Sequence, residues 1–165
     1  MRILSGSAVL LIAITATSCT FEERTDRVPE VPQDTRRQVI QPEGVARLPV
    51  FSSAIRSGDF IFLSGALGAL PGIDPPTLVE GGIEAETRQT MENIIAVLEA
   101  AGATLEDLVK CTVFLADIDD YGAMNSVYVE YFPSDPPARA ALAATGLALG
   151  ARVEIDCIAA APEGA

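Results

Sequence analysis

The spacing of apolar and polar residues changes several times along the chain, and each change predicts an element. Between Pro49 and Gly65 the stretch PVFSSAIRSGDFIFLSG holds two strand-like pieces around Ser57-Gly58-Asp59, a turn signal, which predicts a hairpin. Its second piece, Phe60 to Leu63, is apolar at every position, as expected of a strand buried from two sides. The following ALGALPGIDPPTLVEGG is rich in glycine and proline and predicts a long loop. From Ile83 to Gly102 the period becomes helical. Thr87, Met91, Ile94, Leu98 and Ala101 form one apolar stripe, and Gly102 stands where a left-handed residue ends a helix. Glu84 and Glu86 fall in the first turn, where they favour the helix dipole, while Glu92 and Glu99 fall on the solvated side.

After a short acidic turn, VKCTVFLADI is β-branched and apolar and predicts a central strand. DDYGAMNSVYVEYF returns to helical spacing, with Asp119 or Asp120 as its cap. Tyr121, Met124, Tyr128 and Phe132, with Val127 and Tyr131 beside them, make a stripe of the kind that usually enters a core, and Phe132-Pro133-Ser134 closes it. A strand after Arg139, a turn from Gly146 to Gly150 and a last strand in ARVEIDCIAAA complete the order β-β-α-β-α-β-β. That order predicts an α+β fold, two helices on one face of a mixed sheet. The other sheet face would be apolar and uncovered, and would need a second subunit to bury it.

Ahead of this domain the pattern is different. MRILSGSAVLLIAITATSC has one arginine, an apolar run from Ala8 to Ala16 and small residues up to Cys19, an export signal too short to span a bilayer. Ala16-Thr17-Ser18-Cys19 resembles a bacterial lipobox, so residues 1–18 are expected to be removed and Cys19 lipidated, with ordinary signal cleavage as the alternative. Residues 19–43, charged, proline-containing and aperiodic, predict an extended tether, and 44–162 the folded domain. Such a chain would sit on the periplasmic side, attached to a bacterial membrane through lipid alone; Thr20 beside the cysteine favours the outer membrane.

Composition narrows the chemistry. With 11 basic and 23 acidic residues the net charge is −12, which repels phosphate backbones, so no nucleic-acid partner is expected. There is no histidine, which removes Ser-His-Asp and Cys-His nucleophiles and the commonest zinc ligand. Carboxylates, arginine, backbone groups and thiols remain. Arg139 stands out among them. Two prolines in Asp135-Pro136-Pro137-Ala138-Arg139 restrict the backbone that feeds it into an apolar strand. An arginine there either ends the strand in water or points its planar fork at an anion. Cys111 and Cys157 lie in apolar strand registers and read as buried thiols, although an oxidising compartment would allow a bridge between adjacent strands.

Taken together, FSSAIRSGDFIFLSG, IEAETRQTMENIIAVLEAAGATLEDLVKCTVFLAD, NSVYVEYF, PARAAL and VEIDCIA resemble the RidA/YjgF family of reactive-intermediate deaminases over nearly all of Pro49 to Ala160. The resemblance implies a chorismate-mutase-like subunit that assembles as a homotrimer with pockets at the subunit interfaces. It implies hydrolysis of 2-imino or 2-enamino acids to 2-keto acids and ammonia, without cofactor or metal. Arg139 matches the arginine that grips the substrate carboxylate, and Glu154 the glutamate that positions water. Ser64 and Gly65 match a Ser-Gly pair at a strand end, Asn125 a family asparagine near the site, and Phe51 the place of a tyrosine. Ala66 replaces the glutamine that commonly follows Ser-Gly; with Phe51, this shifts the expected substrate toward more apolar imino acids. A non-catalytic trimer of the same fold that binds small carboxylates is the alternative function.

Overall fold

The computed structural model describes residues 37–43 and 49–162, all within the unit Pro32–Ala165. The export signal, Cys19 and most of the expected tether lie outside the described residues. The described strands are β1 (Gln38–Ile40), β2 (Ala54–Ser57), β3 (Phe60–Leu63), β4 (Ala66–Leu67), β5 (Leu108–Leu115), β6 (Ala138–Ala143) and β7 (Val153–Ala160). The helices are α1 (Gly82–Ala100) and α2 (Tyr121–Tyr128). One mixed sheet runs in the order β1-β2-β3-β7-β5-β6, with β4 pairing β7 beyond the end of β3. Among the described strands only the β5–β6 pair is parallel. Both helices pack on the same face, so the α+β class holds.

The helical stripe does what its period predicts. Ile83, Thr87, Met91, Ile94 and Leu98 of α1 are buried against the inward side chains of β5 and β7, among them Val113, Leu115, Val153 and Ile155. Each large aliphatic side chain removed from water in this way contributes roughly 1.5–3 kcal/mol. Gly102 (φ 73) ends the helix: its N–H donates to Glu99 O, and Ala103 N–H donates to Leu98 O. The hairpin also forms as expected, with Ser57 opposite Phe60 and Gly58 at φ 58 in the turn.

Several expectations change. β1 lies within the stretch read as tether; it is three residues long, and only Ile40 is buried, so no alternation announced it. The glycine-rich loop is partly ordered, through β4 and through hydrogen bonds from Leu70 N to Thr77 O and from Val79 N to Gly68 O. Phe60 and Phe62, expected to be buried from both sides, are 46% and 45% exposed, because the helices cover only the face that takes Ile61 and Leu63. Neither predicted cap serves α2 through its side chain: Asp117 accepts from Asp119 N, and Asp120 is drawn into an ion pair with Arg152. Tyr121 is exposed, outside the core that takes Met124, Tyr128 and Phe132. Cys111 and Cys157 are opposite one another on β5 and β7 and form a disulfide, not a pair of thiols.

Candidate active site

Arg139 is the second residue of β6, the last strand of the sheet, where it pairs with Cys111 of β5. Paired residues share a face, and Cys111 points into the core beneath the helices, so Arg139 points to the helix side. There α2 meets it with three side chains at helical spacing. Nη2 donates to Asn125 Oδ1 at 2.6 Å and to the Tyr121 hydroxyl at 3.4 Å, and the guanidinium carbon lies 4.6 Å from the centre of the Tyr128 ring. A cation over an aromatic face is attracted by the ring quadrupole, so the guanidinium is oriented before any ligand arrives. The Tyr121 phenol is lowered from its ordinary value, first by its hydrogen bond with Asn125 and then by Arg139. Burial raises the Tyr128 phenol, against the opposing pull of the arginine charge.

Glu154 belongs to a second cluster. On β7 the side chains of Val153, Ile155 and Cys157 go inward, which turns Glu154 and Asp156 to the uncovered face. Pairing with β7 lapses at Ser64 and Gly65, between β3 and β4, and the Glu154 carboxylate lies over that gap. A Cβ at position 65 would run into Glu154 Oε1 and lie 2.8 Å from Cδ, so only glycine lets the carboxylate rest there. Ser64 is held by its neighbours: its N–H donates to Ser53 O at 3.0 Å and its Oγ to Ser52 O at 2.7 Å. Phe51, Ser64 and Gly65 line a common cavity of about 310 Å³.

Within one chain the two clusters do not meet. Across the sheet, Arg139 is level with Cys111 and Cys157, whereas Glu154 lies three residues along β7 and on the opposite face. Two strand spacings and three residue rises separate their backbones by about 14 Å, with the side chains diverging. The sequence-predicted residues thus fall into two half-sites: Arg139 with Asn125, and Glu154 with Phe51, Ser64 and Gly65.

Sequence reading missed three supporting residues. Glu86 is only 6% exposed, and its Oε2 accepts from Arg152 N at 2.8 Å. The Arg152 side chain holds both carboxylate oxygens of Asp120, at 2.6 to 2.9 Å. Together they tie the starts of α1 and α2 to β7 two residues before Glu154. The signal for Glu86 was its spacing, three residues after Ile83 and four before Thr90 on the buried stripe, overlooked because a first-turn glutamate already has a reason to be there. A larger depression of about 820 Å³ beside the end of α1 is lined by Glu99, Glu106 and Asp135 among others, and by none of the predicted site residues.

Comparison with known proteins adds to this geometry. A profile of the family described as endoribonuclease L-PSP matches residues 44–161. A 2-iminobutanoate/2-iminopropanoate deaminase of Capra hircus is 42% identical over 126 residues, covering 75% of this chain and 89% of that protein. A RutC family protein of Pyrococcus horikoshii is 45% identical over 111 residues, covering 66% of this chain and 85% of that protein. The crystal structure of RidA from the Antarctic bacterium Psychrobacter sp. PAMC 21119 is similar at TM-score 0.68 and 37% identity, covering 74% of this chain and 98% of that one.

Proposed function

The chain belongs to the RidA/YjgF family, also described as endoribonuclease L-PSP, and from that premise we propose that it hydrolyses reactive 2-imino and 2-enamino acids to 2-keto acids and ammonia. The observation that carries this reading is the pair of half-sites. One is a guanidinium pre-oriented by Asn125 and Tyr128; the other is a carboxylate laid over the backbone at Gly65. Arg139 receives the substrate carboxylate on its planar fork, which fixes the imine carbon as well as holding the ligand. Backbone groups at Ser64 and Gly65 orient the imine nitrogen. Glu154 takes a proton from water as the oxygen adds to the carbon of the protonated imine and gives it to the carbinolamine nitrogen as the carbon–nitrogen bond breaks; the hydroxyl loses its own proton to the carboxylate as the keto group forms, and that proton leaves with ammonia as ammonium. Free imines already hydrolyse in water, so positioning supplies what the reaction needs.

The half-sites act together only between subunits, and the uncovered face supplies the means. Val39, Phe60, Phe62 and Leu142 are exposed there. Burying this surface in a homotrimer would bring the Arg139 of one subunit to the Glu154 of the next. The chain is further proposed to be exported, cleaved before Cys19 and held by lipid on the periplasmic side of a bacterial membrane; intact-mass analysis of the mature protein would show the acyl chains, and Cys19→Ala would release the protein into the soluble fraction. An RNA partner would face the net charge of −12, and a binding assay at low salt tests for it.

To test the deaminase reading, imines are generated with an amino-acid oxidase and their loss is followed against buffer. Wild type is expected to accelerate the loss. Arg139→Ala removes a charged partner worth ~2–5 kcal/mol, which lowers kcat/KM by roughly 30-fold or more. No acceleration by wild type, or equal acceleration by Arg139→Ala, sinks the enzyme reading; ligand binding without turnover would favour the carboxylate-binding trimer.

A further inference from the structure

The cavity beside Gly65 bears on which imino acids the site takes. At about 310 Å³ it stands at the small end of small-molecule pockets, sized for an amino-acid-like ligand. Its walls beyond Phe51 come from Leu70 and Ile73 in the segment after β4, from Val97 of α1, and from Leu149 in the turn before β7. Phe51, Leu70, Ile73 and Leu149 are large, apolar and each more than a third exposed, although none belongs to the uncovered sheet face.

Leu149 is the most informative of them. Its φ is 60, in the left-handed region that glycine enters freely and leucine does not, and Gly150 follows at φ 73. A turn of this shape calls for glycine, yet a leucine holds the position with its side chain 57% exposed on the cavity rim. Core packing does not account for it.

The polar side chains of the cavity are already engaged. Ser53 Oγ donates to Gln41 Oε1 at 3.3 Å and Ser64 Oγ to Ser52 O at 2.7 Å. Asn93 Nδ2 donates to Leu67 O and Ala69 O, both at 2.8 Å, and its Oδ1 accepts from Gln89 Nε2 at 3.0 Å. No lining residue carries a charge. A polar substrate side chain would shed water here for no more than the spare lone pairs of two serine hydroxyls and one amide oxygen, whereas an apolar one would leave water for apolar walls.

We propose that this cavity receives the substrate side chain and selects 2-imino acids with bulky apolar groups, those derived from leucine, methionine and phenylalanine, over those from alanine and glutamine, with Leu70, Ile73 and Leu149 as the selecting residues. The proposal rests on the deaminase reading for the reacting end: Gly65, over which the Glu154 carboxylate lies, is itself a wall of the cavity, so an imine carbon held at Gly65 has the cavity within reach of its substituent.

The test compares kcat/KM for oxidase-generated imines of leucine, phenylalanine, alanine and glutamine. The leucine imine is expected to exceed both the alanine and the glutamine imines by about tenfold or more, the scale on which an apolar pocket discriminates. Leu149→Gly relieves the left-handed backbone and so folds, and the leucine-to-alanine ratio is expected to fall several-fold, as it should in Ile73→Ser. Calorimetric binding of 4-methyl-2-oxopentanoate against pyruvate gives a second readout that needs no turnover. Equal or reversed preference in both measurements overturns the proposal and leaves the deaminase reading standing. Preference for the larger keto acid without hydrolysis of any imine upholds the cavity and overturns the deaminase reading.

Discussion

At Gly65 a single added methyl group would collide with the Glu154 carboxylate. Gly65→Ala should therefore leave the fold intact and move the carboxylate, lowering kcat/KM by about 100-fold, as misplacement by an ångström can; a variant with wild-type kinetics would remove Glu154 from the mechanism. Tyr121 and Tyr128 report on the other half-site, and Tyr131 on its contact with α1. A spectrophotometric titration should resolve Tyr121 below the ordinary phenol value, Tyr128 above it, and Tyr131 at about 12, pushed up by burial and then by its bond to Glu92. In Arg139→Ala the first of these should move up. Because Tyr131 holds its proton more tightly folded than unfolded, its stabilisation is complete below about pH 10 and is lost as pH rises toward 12. Tyr131→Phe should flatten that alkaline loss in unfolding curves.

Among elements, β7 carries Glu154 and β6 carries Arg139, with β5 between them, and the Cys111–Cys157 disulfide joins β5 to β7 across 46 residues of chain. Removing both sulfurs, as Cys111→Ala with Cys157→Ala, should lower stability by about 2–4 kcal/mol, read as a fall in Tm; unchanged stability would mean that the bond constrains nothing the strands do not. Both cysteines were visible in apolar registers, but their pairing was not, because strand order and register are set by contacts far apart in sequence. The hairpin and α1 were legible for the opposite reason: turn glycine, helical period and a left-handed cap act locally. β1 and β4 escaped because two or three residues cannot display a period.

For the whole molecule, the proposed deaminase reading makes assembly part of the chemistry, because Arg139 and Glu154 are separated within one chain. If each site takes these residues from different subunits, mixing inactive Arg139→Ala and Glu154→Gln chains in equal amounts should leave about a quarter of the sites intact. Recovery of that activity after co-refolding checks this; none would place both residues in one subunit's site or remove one from the mechanism. The apolar run of β3 anticipated burial on both faces, and the single subunit covers only one. What the sequence determined by itself was the family, the α+β class, the hairpin and the helical stripes, since these follow from local period and local motif; the roles of Arg139, Glu154, Ser64 and Gly65 were assigned there by the family resemblance. The tertiary structure decided that Arg139 faces the helices while Glu154 faces away, that two cysteines bond, that Glu86 is buried and that Leu149 rims a cavity. Each depends on strand register, which a chain settles only when distant segments pair.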